Sequence, residues 1–96
     1  MEFTIQHTKT DSQGAFSLYH SDREIGRMEY SIAGPHKIIA SHTEVSPDYK
    51  GQGLGDTLLA ALTDYARNNQ IKVLALCPFV KARFTRNQDQ YQDIIA

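Results

Sequence analysis

Three glycines at alternate positions, Gly51, Gly53 and Gly55, lie where the hydrophobic pattern of the chain changes its period. Before them the apolar residues alternate in twos, which is typical of half-buried β-strands. After them the apolar residues recur every three or four positions, which is typical of an amphipathic helix. A chain of 96 residues has room for one core. We therefore predict a single domain over residues 1–96, organised around this strand-to-helix junction.

The first half of the chain predicts an antiparallel meander of four strands. A turn or short loop over residues 7–14 separates the first two runs, and a tight connection over residues 33–36 contains Gly34 and Pro35. Each link is of hairpin length, which favours antiparallel neighbours. The apolar faces of the four strands are carried by Phe3 and Ile5, Phe16 and Leu18, Met28 to Ile32, and Ile38 to Val45.

The second half predicts a βαβ unit followed by short C-terminal helices. Asn68 and Asn69 suit a helix end, where Asn tolerates the left-handed conformation. The apolar run 71–76 predicts a strand buried on both faces, parallel to the fourth strand after a right-handed crossover. Pro78 fits the first turn of a helix over residues 79–86, and residues 88–95 form a last helical or irregular piece. The predicted fold class is α/β with a mixed sheet. The helical stripe consists of Leu54, Leu58, Ala61, Leu62, Tyr65 and Ala66.

The glycine segment favours a phosphate ligand. Glycines let the backbone N–H groups turn toward one point, and the N-terminus of a helix adds unpaired donors and a partial positive charge. A Walker A loop would need Gly-Lys-Ser/Thr, where this chain has Leu54-Gly55-Asp56. The dinucleotide fingerprint would need its third glycine at Asp56, so both nucleotide interpretations fail.

The spacing resembles the pyrophosphate loop of the GNAT superfamily of acetyl-CoA-dependent N-acetyltransferases, Gln/Arg-x-x-Gly-x-Gly/Ala. Lys50, Gly53 and Gly55 occupy the motif positions, and Lys50 keeps the charge of Arg without its planar fork. The chain also resembles the short YjdJ-type branch of that superfamily. The segments that carry this second resemblance are 42–45 (His-Thr-Glu-Val), 77–80 (Cys-Pro-Phe-Val) and 91–94 (Tyr-Gln-Asp-Ile).

The resemblance implies a GNAT-like fold, acetyl-CoA as co-substrate and a small-molecule or peptide amine as acceptor. It implies that the pantetheine arm runs between the fourth and fifth strands, with the thioester near Thr43 and the strand end at Cys77. Larger relatives carry two helices between the first two strands, where this chain has only a loop. The implied CoA-binding residues are Thr43, Val45, Lys50, Gly51, Gln52, Gly53, Leu54 and Gly55.

Three residues, Cys77, His42 and Glu44, are the main candidates for catalysis. Pro78 places Cys77 at the N-cap of a helix, a position that favours the thiolate, so Cys77 could accept the acetyl group or only line the site. A small buried thiol is the alternative. His42 and Glu44 share one face of the fourth strand, and either could be the general base that direct transfer requires, or both could face solvent. Tyr91 could protonate the departing CoA thiolate, although docking of the tail on the core is favoured.

A basic cluster, Lys81, Arg83 and Arg86, could reach the 3′-phosphate of CoA, although a solvated helix face is the favoured interpretation.

The remaining composition excludes several classes of protein. Ten basic against eleven acidic side chains give no field that would favour nucleic acid, and no apolar run reaches the roughly 20 residues of a membrane span. The four histidines have no metal-ligand spacing, so we expect no metal. A lone cysteine is consistent with a reducing cytoplasm. We predict an N-acetyltransferase, with an acyl-CoA-binding module lacking efficient turnover as the alternative.

Overall fold

The computed structural model describes residues 2–96. These residues form one five-stranded sheet and three helices. The strands follow the order β1-β2-β3-β4-β5, antiparallel up to β4 and parallel between β4 and β5. The predicted α/β class, with a meander, a βαβ unit and short C-terminal helices, is confirmed. The elements are β1 (Phe3–Lys9), β2 (Gln13–His20), β3 (Arg23–Ile32), β4 (Lys37–Val45), a 3₁₀ turn (Pro47–Tyr49), α1 (Leu54–Asn68), β5 (Lys72–Ala75), α2 (Pro78–Arg86) and α3 (Gln88–Tyr91).

The first hairpin is tighter than the sequence predicts. β1 continues to Lys9, so His7 lies within the strand and only residues 10–12 form the turn. Aromatic contacts explain the extension: the His7 ring stacks on Phe16 with 4.1 Å between centroids, and His7 Nε2 lies 2.6 Å from the hydroxyl of Tyr30. Burial, and then nearby Lys9, lowers the pKa of His7. These contacts outweigh the polar turn-forming composition that follows His7.

One face of the sheet is covered by α1. The helix buries an apolar stripe against β2, β3 and β4, as its periodicity predicts. α1 ends at Asn68 as predicted, but the left-handed residue is Gln70, with φ 56°, and Asn69 instead donates its side-chain amide to the carbonyl of Tyr65. The buried residues of α1 are Leu54, Leu58, Leu59, Leu62, Thr63 and Ala66.

The prediction that β5 is buried on both faces is wrong. Val73 is fully buried, whereas Lys72 is exposed and Leu76, just after the strand, is 62% exposed. Leu74 and Ala75 are only half-buried, so a continuous apolar run does not imply two covered faces here.

The C-terminal segment packs along the outer edge of β5. Val73 donates to the carbonyl of Ile94 and Ala96 donates to the carbonyl of Val73. Tyr91 is buried, and its ring centroid lies 4.9 Å from that of Phe84. It therefore packs the C-terminal segment against the core, which is the favoured prediction for this residue. None of the helices within residues 2–96 has the length and apolar character needed to cross a membrane.

Candidate functional site

The glycine segment forms an open backbone cradle at the start of α1. Gly51 and Gly53 have φ of 86° and 72°, conformations that side-chain-bearing residues rarely adopt. A Cβ at either position would meet no atom within 4 Å. The first intrahelical bond of α1 runs from Thr57 to the carbonyl of Gly53, so the N–H groups of the preceding helical residues stay available to a ligand. Such an arrangement of free donors fits a phosphate group.

Gly55 has a different reason to be glycine. A Cβ on Gly55 would lie 2.8 Å from Cζ of Phe79, so the ring occupies the space that a side chain would need. The sequence interpretation treated all three glycines as room for a ligand. In the structure the third glycine lets α2 pack closely against the first turn of α1.

A cleft of about 690 Å³ joins this cradle to the last residues of β4. We call it the glycine-loop cleft. Seven of the eight predicted CoA-binding residues line it, and Gln52 is exposed outside the lining. The full lining is Thr43, Glu44, Val45, Pro47, Tyr49, Lys50, Gly51, Gly53, Leu54, Gly55, Asp56, Phe79 and Arg83.

The parallel strands separate beside this cleft. Pairing of β4 with β5 stops at Ala40 and Ala75, and the N–H groups of Leu76 and Cys77 both donate to the carbonyl of Ala40, at 3.0 and 2.9 Å. β4 then continues to Val45 paired only with β3 among the described residues. The divergence predicted between the fourth and fifth strands therefore begins after Ala40.

A β-bulge reorients β4 at the same level. Glu29 pairs with His42 and Tyr30 with Ala40, which leaves Ser41 as the extra residue. Before the bulge the even-numbered residues of β4 are buried; after it the odd-numbered ones, Thr43 and Val45, are the half-buried side chains. The bulge therefore turns Thr43 and Val45 toward the glycine-loop cleft, and the sequence alternation alone does not reveal it.

Cys77 lies at the N-cap of α2 with Pro78 as the first helical residue, as predicted. Its side chain is buried, at 3% exposure, and its thiol donates to the hydroxyl of Thr43 at 3.3 Å. The thiol therefore contacts a residue that lines the cleft without belonging to the lining itself.

His42 and Glu44 point away from Thr43 and Val45, as predicted from strand alternation. Both are exposed, their Nε2 and Oε2 atoms are 3.9 Å apart, and only Glu44 lines the cleft. At these exposures the pair is open to solvent, so its interaction is weak.

An ion pair that the sequence did not reveal closes one wall of the cleft. Arg83 donates from Nε to Oδ1 of Asp56 at 2.7 Å and from Nη2 to Oδ2 at 3.3 Å. The guanidinium carbon lies 4.7 Å from the centre of the Phe79 ring. Hydrogen bonding to Asp56, and then its charge, raises the pKa of Arg83. The pair joins α1 to α2 across 27 residues, and no local pattern signals such a contact.

The 3₁₀ turn before the cradle is held from the far end of the first hairpin. Nδ1 of His20 lies 2.6 Å from the hydroxyl of Tyr49, and the Phe3 ring meets Tyr49 edge-on at 6.2 Å. Arg23 and Asp48 form an exposed ion pair at 3.6 Å. Tyr49 lines the cleft, so residues of β1 and β2 fix one of its walls without entering it.

Comparison with known families identifies the chain. A family model described as GCN5-related N-acetyl-transferase matches residues 15–94. The chain belongs to this family. The match includes β4, the glycine-loop cleft and Cys77, and omits residues 1–14 and the last two residues. The comparison with curated proteins found no match.

Solved structures share this GCN5-related fold. A GCN5-like protein from Staphylococcus aureus, solved in solution by NMR, is 28% identical, with a TM-score of 0.69 over 95% of this chain and 87% of the other. A GNAT family acetyltransferase from Elizabethkingia anophelis with acetyl-CoA bound is 13% identical, with a TM-score of 0.69 over 92% and 74%. A GNAT family protein from Streptococcus pneumoniae is 12% identical, with a TM-score of 0.67 over 93% and 86%. The last two likenesses establish the fold alone.

Within residues 2–96 of this GCN5-related acetyltransferase, no three His, Cys, Asp or Glu side chains come together in a group that could hold a metal ion.

Proposed function

We propose that residues 1–96 form one catalytic domain that transfers the acetyl group of acetyl-CoA to an amine. The observation that carries this proposal is the glycine-loop cleft, which connects the glycine cradle to the end of β4, beyond its last pairing with β5. The bound acetyl-CoA of the Elizabethkingia anophelis protein supports the choice of co-substrate.

The cradle is suited to the pyrophosphate of CoA. The open positions at Gly51 and Gly53 allow close approach to the backbone, and the first turn of α1 supplies N–H donors and the positive end of the helix dipole. Lys50, which lines the same cleft, adds a full positive charge. The pantetheine arm then follows Thr43 and Val45 along the unpaired side of β4, which brings the thioester toward Cys77.

Direct transfer needs only a few groups. The neutral amine attacks the thioester carbonyl, the C–N bond forms, the C–S bond breaks, and the amine proton is lost while the CoA sulfur gains one. Backbone N–H groups near Val45 stabilise the developing oxyanion. Glu44, which lines the cleft, or His42, its neighbour on the same face, accepts the amine proton.

A covalent route through Cys77 is the alternative for the same activity. The thiol sulfur would attack the thioester, CoA would leave as the thiol, and the acetyl group would pass from Cys77 to the amine. The N-cap position and the contact with Thr43 support a place at the thioester. The burial of the thiol favours a role in positioning Thr43 beside the site over that of an obligatory nucleophile.

An acyl-CoA-binding module without efficient turnover is the rival function. It is favoured by the turn of residues 10–12, because β1 passes directly into β2 with no helices to shape an acceptor pocket. If the chain is an enzyme, its acceptor would have to bind on the exposed face of the sheet that carries His42 and Glu44.

We further propose that the chain belongs to the short YjdJ-type branch of the family and that it works in a reducing cytoplasm.

Two measurements test the function. Saturating acetyl-CoA should raise the melting temperature of the wild type but not of Gly53→Glu, whose side chain fills the cradle with bulk and like charge. An equal rise in both proteins would place acetyl-CoA elsewhere. Thiol release from acetyl-CoA should then be followed across simple amines, polyamines, aminoglycosides and peptides. Binding without release for any acceptor would favour the module over the enzyme.

A further inference from the structure

Arg83 is the one arginine of α2 that is both fixed in place and part of the glycine-loop cleft. Two hydrogen bonds to Asp56 hold one edge of the guanidinium, and the ring of Phe79 lies 4.7 Å from it. A guanidinium carries five N–H donors, of which Asp56 takes two, so three remain for a ligand. An arginine fixed in this way loses little side-chain entropy when it binds a phosphate.

The path of α2 indicates which phosphate this arginine meets. α2 starts at Cys77, in contact with Thr43 at the thioester end of the cleft. Arg83 follows six residues later, which corresponds to about 9 Å along the helix. The cradle already offers N–H donors for the pyrophosphate. Arg83 is fixed to Asp56 on the α2 side of the cradle, so it is placed for a further charged group that the cradle itself does not hold.

A second groove begins at the same ion pair. It has a volume of about 530 Å³ between α1 and the C-terminal helices, and Asp56 and Arg83 line both it and the glycine-loop cleft. A ligand that passes the cradle therefore has a groove to enter, with Arg83 at its entrance.

We propose that Arg83, oriented by Asp56 and Phe79, recognises the 3′-phosphate of CoA and makes the protein discriminate CoA from 3′-dephospho-CoA. The inference rests on the proposed function, because it assigns a specificity residue within the same CoA site. The other residues of the basic cluster are placed differently. Lys81 lines a separate groove beside β5, and Arg86 lines the second groove but not the glycine-loop cleft.

The test compares the two nucleotides on matched variants by isothermal titration calorimetry. Wild type should bind CoA about tenfold or more tightly than 3′-dephospho-CoA, the scale of a charge-assisted phosphate contact. Arg83→Gln should bring the two affinities to near equality by weakening CoA alone. Arg83→Lys, which keeps the charge without the fork, should give an intermediate ratio. Lys81→Gln, an equal charge change on the same helix, should keep the wild-type ratio.

Several results would overturn the assignment. They are a wild type that binds both nucleotides equally, an unchanged ratio in Arg83→Gln, and an equal loss for both nucleotides in that variant. Loss of discrimination in Lys50→Gln instead would assign the 3′-phosphate to Lys50 and would also overturn the proposal. A wild type that binds neither nucleotide would reject the proposed function itself, which is a distinguishable failure.

Discussion

Gly53 offers a test of the cradle that needs no ligand. Its φ of 72° is left-handed, and a Cβ there would touch nothing within 4 Å. Replacing Gly53 with Ala therefore introduces conformational strain without a clash. The left-handed conformation costs a side-chain-bearing residue about 1–2 kcal/mol. Alanine also lowers the entropy of the unfolded chain, which offsets about 0.4–1 kcal/mol of this strain.

The expected net loss in Gly53→Ala is about 1 kcal/mol of unfolding free energy. In a domain of 96 residues this corresponds to a fall of about 4–8 °C in the melting temperature. Gly53→Asn is the matched variant, because Asn tolerates the left-handed region and should recover a large part of the loss. Ligand-free thermal and urea unfolding, followed by circular dichroism, measure both. An unchanged melting temperature in Gly53→Ala would show that the residue does not hold a positive φ.

Two further predictions concern titratable groups. Cys77→Ala should retain partial turnover with a good amine, measured as CoA release, because the thiol contacts Thr43, which lines the cleft. Full turnover in this variant would show that the thiol only packs, and a Cys77-dependent acetyl mass shift without acceptor would instead support the covalent route. The pKa of His7 is lower in the folded protein than in the unfolded chain, so as the pH falls below about 6.5 the His7 imidazole is protonated in the unfolded chain before it is protonated in the folded protein. Stability should therefore fall toward acid and level off below the folded-state pKa, and His7→Gln should remove that part of the fall. Urea midpoints at about pH 5 and pH 7.5 measure it, with exposed His36→Gln as the control; equal pH dependence in all three proteins would refute the reasoning.

The sequence predicts the architecture well because local periodicity and turn chemistry determine most of it. The period change at the glycines placed α1 correctly, and Pro78 placed Cys77 at an N-cap. What the sequence missed depends on contacts between distant elements. Phe79 fills the space above Gly55, Arg83 reaches Asp56, and the stacking of His7 on Phe16 extends β1.

One wrong prediction and one feature that the sequence did not reveal have a common cause. The bulge at Ser41 and the exposure of Leu76 both depend on what lies beside a strand, and the strand's own residues do not encode that neighbour. A hydrophobic run indicates that a strand packs against a core. Whether one or both faces of that strand are buried depends on the helices and loops that the rest of the chain places beside it. The choice of Thr43 and Val45 as cleft residues therefore came from the resemblance to a family and not from alternation.

The contacts that hold Tyr49 have a consequence for the order in which this protein folds. Tyr49 is held by His20, 29 residues earlier, and by Phe3 at the start of β1. Contacts of such long sequence separation close late, since the intervening loop must first lose its entropy. The turn that leads into the cradle should therefore become rigid only after the first hairpin has docked. During refolding, the capacity to capture a phosphate ligand should emerge after the meander is complete, although no residue of β1 or β2 lines the cleft.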